Sequence, residues 1–378
     1  MIVWDRHEDT LLHAVEATPA LYRLAILSLA GLMGAASWTL MFRKSRQLVS
    51  VSAAVSGEHM PPLRALWHAS TQIVLVAMGA SIGREVAPRE MSAALSAWVC
   101  DHLGLNAEDR RTIVACGAGA GLAAVYSIPL SGAVYTLEIL LAAMRARTVA
   151  PAFATSALAV LVSTGWNRPE PFYTVSELHA SASLSCWALL FGPILGWLGV
   201  AFRRYVHIFE DAKPRNLSLW WTLPLAFTGV GIVSMFIPSV LGNGQASAQT
   251  QFEAAWLGGF GLASATLVLL AKTMTTLVTI RAGGWGGTLT PGLALGAGLG
   301  AVTGLLWSQI WPGTSIAAFV FIGAAVFLGA SMKAPLTGLV LLMEFTHQGS
   351  EILVPTILAI GGAVAATAWA ERTHTEAE

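Results

Sequence analysis

An all-α, polytopic membrane protein built from two inverted repeats of tilted and broken helices is the fold class this sequence predicts. Three observations predict it. Hydrophobic residues make up 55% of the chain and charged residues 11%, against about 25% charged in an ordinary soluble domain. Apolar segments recur along the whole chain, several of them reaching the ~20 residues that cross a bilayer. A twenty-residue stretch late in the chain also repeats one from the first half.

The elements follow in order. The opening MIVWDRHEDTLLH carries charges where a signal peptide has its apolar core, so no cleaved leader is expected. Residues 1–19 read as a short amphipathic lead-in. Apolar segments then fall at 20–42, 66–82, 111–141, 149–164, 181–202, 219–240, 255–280, 291–311, 315–331 and 335–370. The polar stretch GWNRPEPFYTVSE (165–177) divides them. The expected organisation is a first transmembrane repeat over 20–165, a linker over 166–180, a second repeat over 181–371 and a polar tail over 372–378. Net charge is zero and only four lysines are present, so no basic footprint argues for nucleic acid. Cys100, Cys116 and Cys186 lack ligand spacing and read as apolar fillers. The nine histidines show no HExxH spacing, so neither a metal site nor a cofactor is expected. A membrane-embedded enzyme would need a Ser/His, paired Asp or metal constellation, and none is visible. The tryptophans, Trp220 and Trp221 among them, are expected at the lipid interface.

The internal repeat carries the most information. GLAAVYSIPLSGAVYTLEIL (121–140) laid on FLGASMKAPLTGLVLLMEFT (327–346) matches at seven of twenty positions with an offset of 206. Both copies hold Pro-Leu-[Ser/Thr]-Gly followed six residues later by a glutamate, Glu138 and Glu344. GREVAP (83–88) and GGTLTP (286–291) stand at nearly the same offset, Pro88 pairing with Pro291. Each break sets Gly ahead of, and Pro inside, the start of a new apolar helix. Non-helical backbone at membrane depth is tolerated only where it is buried in protein or lines a wet cavity. Duplicated, interrupted helices are the mark of a transporter with its site at the repeat interface.

In GASIGREVAPREM (79–91) four ionisable groups appear where an apolar run is ending: Arg84, Glu85, Arg89 and Glu90. A helix N-terminus offers free N–H groups and a partial positive charge. Two such ends aimed at one point would hold a small anion without trapping it. A carboxylate at that point is itself an anion. Glu85 can therefore occupy a permeant anion's place and leave when protonated, as a gate and a proton carrier. The other role open to it is a plain ion pair with Arg84 or Arg89. Glu138 and Glu344 read as structural caps or interface groups. Lys272, a lone cation in LVLLAKTMTTLV, is expected to pair with a carboxylate or a helix end.

GREVAPRE resembles the Gly-[Lys/Arg]-Glu-x-Pro signature of the CLC family of voltage-gated chloride channels and chloride/proton exchangers. GGTLTPGLALGAGLG is similar to that family's Gly-Gly-x-Phe-x-Pro motif, and KAPLTGLVLLMEFT to its late Pro-Leu-Thr-Gly helix. The likeness runs in order over about residues 66–370, and is to a short prokaryotic-type member without cytosolic CBS domains. It implies Glu85 as the gating glutamate, and backbone amides of Val86, Thr288 and Leu289 as anion donors. Gly83, Arg84, Pro88, Gly286, Gly287 and Pro291 then form the signature loops. It implies chloride as substrate, a homodimer with one pore per subunit, and a multi-pass protein of the bacterial inner or plasma membrane. The dimer faces would lie at about 117–141 and 322–346.

The sequence departs from the pattern at four places. Leu289 stands where Phe is usual. The serine motif lining the central site is missing, with Ser45 and Ser50 the nearest candidates. None of the five tyrosines follows the last motif. The internal proton-relay position is Ile139, which cannot carry a proton. The first half also reads as one helix short of the second, with 20–42 alone before its site elements against 181–206 and 219–240. The expected function is chloride transport through a glutamate-gated pore, channel-like or loosely proton-coupled. Chloride/proton antiport over a water-filled inner path, or carriage of fluoride or nitrate, are the alternatives. Glu90 is expected to hold Arg84 or the loop in place.

Overall fold

The computed structural model describes residues 11–43, 48–166, 170–253 and 261–375. The first half contains α1 (Leu11–Ala17), α2 (Ala20–Phe42), α3 (Val51–Val55), α4 (Pro62–Ala77), α5 (Val86–Leu103), α6 (Ala107–Tyr126), α7 (Pro129–Tyr135) and α8 (Ala146–Thr164). A π-helical turn, Thr136–Leu141, extends α7. The second half contains α9 (Ala182–Asp211), α10 (Leu219–Phe236), α11 (Gln245–Glu253), α12 (Leu262–Arg281), α13 (Leu289–Ile310), α14 (Ile316–Met332), α15 (Pro335–Thr346) and α16 (Leu353–Thr375). Seven helices are long and apolar enough to cross a membrane among the described residues.

The breaks read from the sequence are real and come in pairs. α6 ends at Ser127 with φ 58° and α14 at Lys333 with φ 55°. Each left-handed residue turns the chain into a helix that starts on proline, Pro129 or Pro335, whose missing N–H costs nothing in a first turn. The single apolar run at 335–370 is thus two helices, α15 and α16, parted near His347. The run at 111–141 is likewise α6 and α7. The polar helix α11 carries no hydrophobic pattern, and the sequence does not announce it. Residues 255–260 of one predicted span lie outside the described residues.

In chain order α2–α8 correspond to α10–α16. The unmatched helix is α9, thirty residues long, where the first half has only the seven-residue α1. The missing element is therefore the counterpart of α9. In the second half α9 packs on α14 and α16. The equivalent α6 and α8 lack that cover among the described residues, and α8 leaves Phe153, Leu158 and Val162 exposed.

The core lies around α14, in which every residue from Ala317 to Gly329 is buried. A helix apolar on all sides belongs inside the protein, and this one is enclosed by α9, α13, α15 and α16. Small residues permit the closest contact, as in other membrane helix pairs. A Cβ on Gly300 would lie 2.2 Å from the Phe319 carbonyl, and one on Gly323 2.5 Å from that of Gly296.

The two ends of the bundle differ in charge. At one end α3 meets the α5–α6 turn, where Arg110 donates to Asp101 at 2.7 Å and to the Ala54 carbonyl at 2.9 Å. Arg111, Arg203, Lys213 and Arg215 gather at the same basic end. The other end joins the linker to α11 and to the α15–α16 turn, through Gln249 with Thr174 and Gln348 with Leu178. Glu170, Glu177 and Glu351 lie there. α5 runs from mid-depth toward the basic end and α13 from mid-depth toward the acidic end, as inverted repeats require. α1 packs near Pro238–Val240 at the acidic end, whereas α16 runs to the basic end.

Candidate functional site

The site forms where the N-termini of α5 and α13 meet. Gly83 and Gly287 exchange both backbone hydrogen bonds, at 2.8 and 2.9 Å, in one isolated antiparallel bridge. This reciprocal pair joins GREVAP to GGTLTP, so the two motifs that the sequence separates by about 200 residues form one floor. Glu85 precedes the first residue of α5, Val86, and Thr288 precedes the first residue of α13, Leu289. Pro88 and Pro291 both fall in the first turn of their helices.

The Glu85 side chain is fully buried and crosses to the other repeat. Its Oε1 accepts from the Leu289 amide at 2.7 Å, and its Oε2 from the Thr290 hydroxyl at 3.1 Å. The Tyr126 hydroxyl donates to Oε2 at a longer 3.4 Å. A negative charge is thereby held at a helix N-terminus, the position an anion takes. The glycines make the room. A Cβ on Gly83 would sit 2.3 Å from both carboxylate oxygens, and one on Gly287 2.0 Å from Oε1. Gly286 packs on Ile82 and the Gly83 carbonyl instead.

Neither arginine pairs with this carboxylate. Arg84 lies over the Tyr126 ring, 5.1 Å from its centroid, and over Phe172 at 5.9 Å. Arg89 donates from Nε to the Glu85 backbone carbonyl at 2.9 Å and from its guanidinium to the Tyr135 hydroxyl. Glu90 does not hold Arg84 either, contrary to expectation. It is one turn deeper along α5, where it accepts from Gln72 of α4 and lies 2.7 Å from His68 Nδ1.

A vestibule of about 670 Å³ at the acidic end comes as close to the site as Arg84 and Pro88, which line it with Phe172, Asn243, Gln245 and Glu253 among others; the Glu85 carboxylate lies behind them. On the basic side, Trp285 of the α12–α13 loop lies under Lys213, whose Nζ is 3.8 Å from the indole centroid. Burial pushes the Lys213 pKa down to about 8, with Glu210 opposing the shift.

Other sequence readings resolve as follows. Glu138 accepts from the Leu336 and Thr337 amides at 3.1 and 2.7 Å and from the Thr337 hydroxyl at 2.7 Å. Glu344 accepts from the Leu130 amide at 2.9 Å and from the amide and hydroxyl of Ser131. Each therefore caps the partner repeat's short helix, as its reading as a structural cap required. Lys272 has no carboxylate partner among its hydrogen bonds. Its ammonium donates to the Val240 and Gly242 carbonyls at 2.9 and 2.8 Å and to Ser81 at 2.9 Å, so a helix end and a hydroxyl serve instead. Ser50 is exposed and caps α3 through the Ala53 amide. Ser45 lies outside the described residues. Cys186 is exposed, whereas Cys100 and Cys116 are buried. Ile139 lies in the π-helical turn and packs on the core.

Sequence reasoning missed Tyr126 and Thr290. The family pattern puts a tyrosine after the last motif, whereas here the hydroxyl comes from Tyr126 at the end of α6, immediately before the first Pro-Leu-Ser-Gly break. Thr290 stands one residue before Pro291, and its place in a helix's first turn was the available signal.

The model of the voltage gated chloride channel family matches residues 30–368, nearly the whole chain. The chain belongs to this family. Among solved structures, a slow cyanobacterial Cl⁻/H⁺ antiporter is similar with a TM-score of 0.77 and 19% identity, over 96% of this chain and 90% of that one. A CLC-type fluoride/proton antiporter gives 0.65 and 19%, over 94% and 96%. A eukaryotic CLC transporter gives 0.71 and 17%, over 92% of this chain and 63% of the other. At these identities the likeness shows the fold. The protein is an integral, multi-pass member of a family of membrane transporters and channels.

Proposed function

We propose that this chain moves chloride across a bacterial inner membrane through a pore that Glu85 gates. One observation carries the reading: the buried Glu85 carboxylate from one repeat rests on the Leu289 amide that opens a helix of the other. Protonating Glu85 removes its charge and weakens its hold on that helix end. The Leu289 amide, with those of Thr288 and Val86, is then free for a permeant anion, so proton and chloride occupancy are linked. Arg84 and the amide groups of Asn243 and Gln245 line the vestibule by which chloride arrives. Lys and Arg cluster at the other end, which the positive-inside rule places in the cytoplasm.

Ile139 offers no proton carrier, and this supports channel-like or loosely coupled movement. A second reading, chloride/proton exchange, draws support from the buried His68–Glu90 pair on the cytoplasmic side of the gate. Flux from proteoliposomes tests the gate. Glu85→Gln should make chloride flux nearly independent of external pH; a variant that keeps the wild-type profile leaves Glu85 a structural group. Fluoride and nitrate compared with chloride in the same assay decide the substrate.

The same reading includes a homodimer with one pore per subunit. The segments 131–140 and 337–346 are largely buried within the protomer, so the proposed face shifts to their margins. Leu130 and Leu336, exposed at equivalent repeat positions, lie there beside the exposed sides of α8 and α16. Trp at both leucines should yield folded monomers that still transport. A wild-type monomer in mild detergent would rule out this face.

A further inference from the structure

Between Glu85 and the basic end lies a second set of buried polar groups that the gate does not use. His68 and Gln72 stand one turn apart on α4, and Glu90 faces them from α5; they are 2, 0 and 8% exposed. Gln72 Nε2 donates to Glu90 Oε2 at 3.0 Å and lies 2.8 Å from His68 Nδ1; Nδ1 is 2.7 Å from Glu90 Oε2 and donates to it in the tautomer protonated there. A carboxylate at this depth needs donors, and these two supply them.

With Nδ1 turned to Glu90, His68 Nε2 points the other way, buried and without a hydrogen-bond partner among the described residues. The ring stands edge-on to Trp285 at 5.3 Å between centroids, and Trp38 of α2 lies 6.4 Å away. Both indole Nε1 atoms are also buried and unpartnered among the described residues. Trp285 belongs to the loop that continues through Gly286 and Gly287 to Leu289, the floor on which the Glu85 carboxylate rests. Along α5, Glu90 follows Glu85 by five residues, a rise of about 7.5 Å. On their outer side His68 and Glu90 line a crevice of about 20 Å³ with Arg64 and Leu48, enough for a single water. The pair is therefore strung between the gate and the basic end.

We propose that His68 and Glu90 form an inner proton-transfer site connecting Glu85 to water at the basic end, in place of the side chain that Ile139 lacks. The proposal rests on the reading of Glu85 as a protonatable gate and develops the second reading above, chloride/proton exchange. A proton leaving the Glu85 carboxyl is carried by water admitted beside the Trp285 loop to His68 Nε2, giving an imidazolium. The Nδ1 proton passes to the Glu90 carboxylate, and the Glu90 carboxyl releases it to water in the crevice. The imidazole is left neutral with its proton on Nε2, and rotation of the ring restores the starting tautomer. The reverse order carries a proton outward. One proton enters and one leaves in either direction.

The charged groups around the site are Arg64 at the crevice, Arg89 beside Glu90 on α5, and Lys213 and Arg215 over Trp285 at 3.8 and 5.6 Å. Glu85 is the acidic group on the gate side, and α2 presents Trp38, which does not titrate.

The test is proton movement against chloride movement in proteoliposomes of the full chain under an imposed chloride gradient. Wild type should drive protons uphill. Glu90→Gln keeps an acceptor oxygen for His68 and Gln72, so a merely structural role predicts no change in coupling. The proposal predicts that the proton-to-chloride ratio falls by at least about tenfold while chloride flux persists. His68→Gln should do the same, and Glu90→Asp, which keeps a titratable carboxylate, should retain proton movement. Monodisperse elution and retained chloride flux identify folded variants; if Glu90→Gln fails on these, His68→Gln and Glu90→Asp decide. Wild-type coupling in Glu90→Gln or His68→Gln overturns the proposal. Chloride flux without any proton movement in wild type overturns it too, but leaves the gate standing. Failure of the gate shows itself separately, as an unchanged pH profile in Glu85→Gln.

Discussion

Three glutamates in this protein reach across the repeat boundary to cap a helix that belongs to the other half, and they do not do the same work. Glu138 and Glu344 each accept three hydrogen bonds, two from amides and one from a hydroxyl in the first turn of a proline-started helix. Glu85 has one amide, one threonine hydroxyl and a long contact to Tyr126. The first two are clamped; the third is lightly held, in a pocket with two glycine walls, next to a large vestibule. A carboxylate on a helix end is thus a device common to this fold. One amide in place of two, a longer third contact and two glycine walls separate Glu85 from the clamped pair, although Glu85 is the more deeply buried.

Removing the clamps should have the largest effect. Glu138→Ala or Glu344→Ala leaves two amides and a hydroxyl without their charged acceptor, a loss of about 2–4 kcal/mol. The expected outcome is a clear fall in thermal unfolding temperature, nearly equal for the two, with the pH profile of surviving flux unchanged. A changed pH profile would mean that the clamps take part in gating.

Gly287→Ala sharpens the contrast from the other side. Its methyl would overlap Oε1, and the flexible carboxylate is the part able to move. Flux should lose most of its pH dependence, as in Glu85→Gln, with a smaller loss of stability than the clamp variants show. An unaltered pH profile would mean that the glycine wall is not what positions the gate.

The smallest effect is expected from Tyr126→Phe. A 3.4 Å contact contributes less than about 1 kcal/mol, so the midpoint of the flux-against-pH curve should move by less than about one unit. A larger shift would make Tyr126 a principal ligand of the gate.

Much of this was legible in the sequence. Gly83–Pro88 and Gly286–Pro291 announce two helix starts because only glycine followed by proline breaks and restarts an apolar helix so abruptly. The 206-residue offset announces the repeat, and with it the equivalence of Glu138 and Glu344. The partners of Glu90 were not legible, since His68 and Gln72 lie on a different helix and carry no motif. Nor was the role of Tyr126, since a hydroxyl can enter the same pocket from either repeat.

By itself, then, the sequence determined the membrane-spanning helical class, the duplication, the places where helices break and the identity of the residue poised at one break. Those are properties of composition, periodicity and backbone chemistry, which act over a few neighbouring residues. Only the tertiary structure decided that Gly83 pairs with Gly287, that Glu85 lies on Leu289, and that Lys272 is satisfied by carbonyls rather than by a carboxylate. Hydrogen-bond partners at membrane depth are chosen by which helix ends the packing brings together. That choice joins residues about 200 positions apart, and no local pattern encodes it.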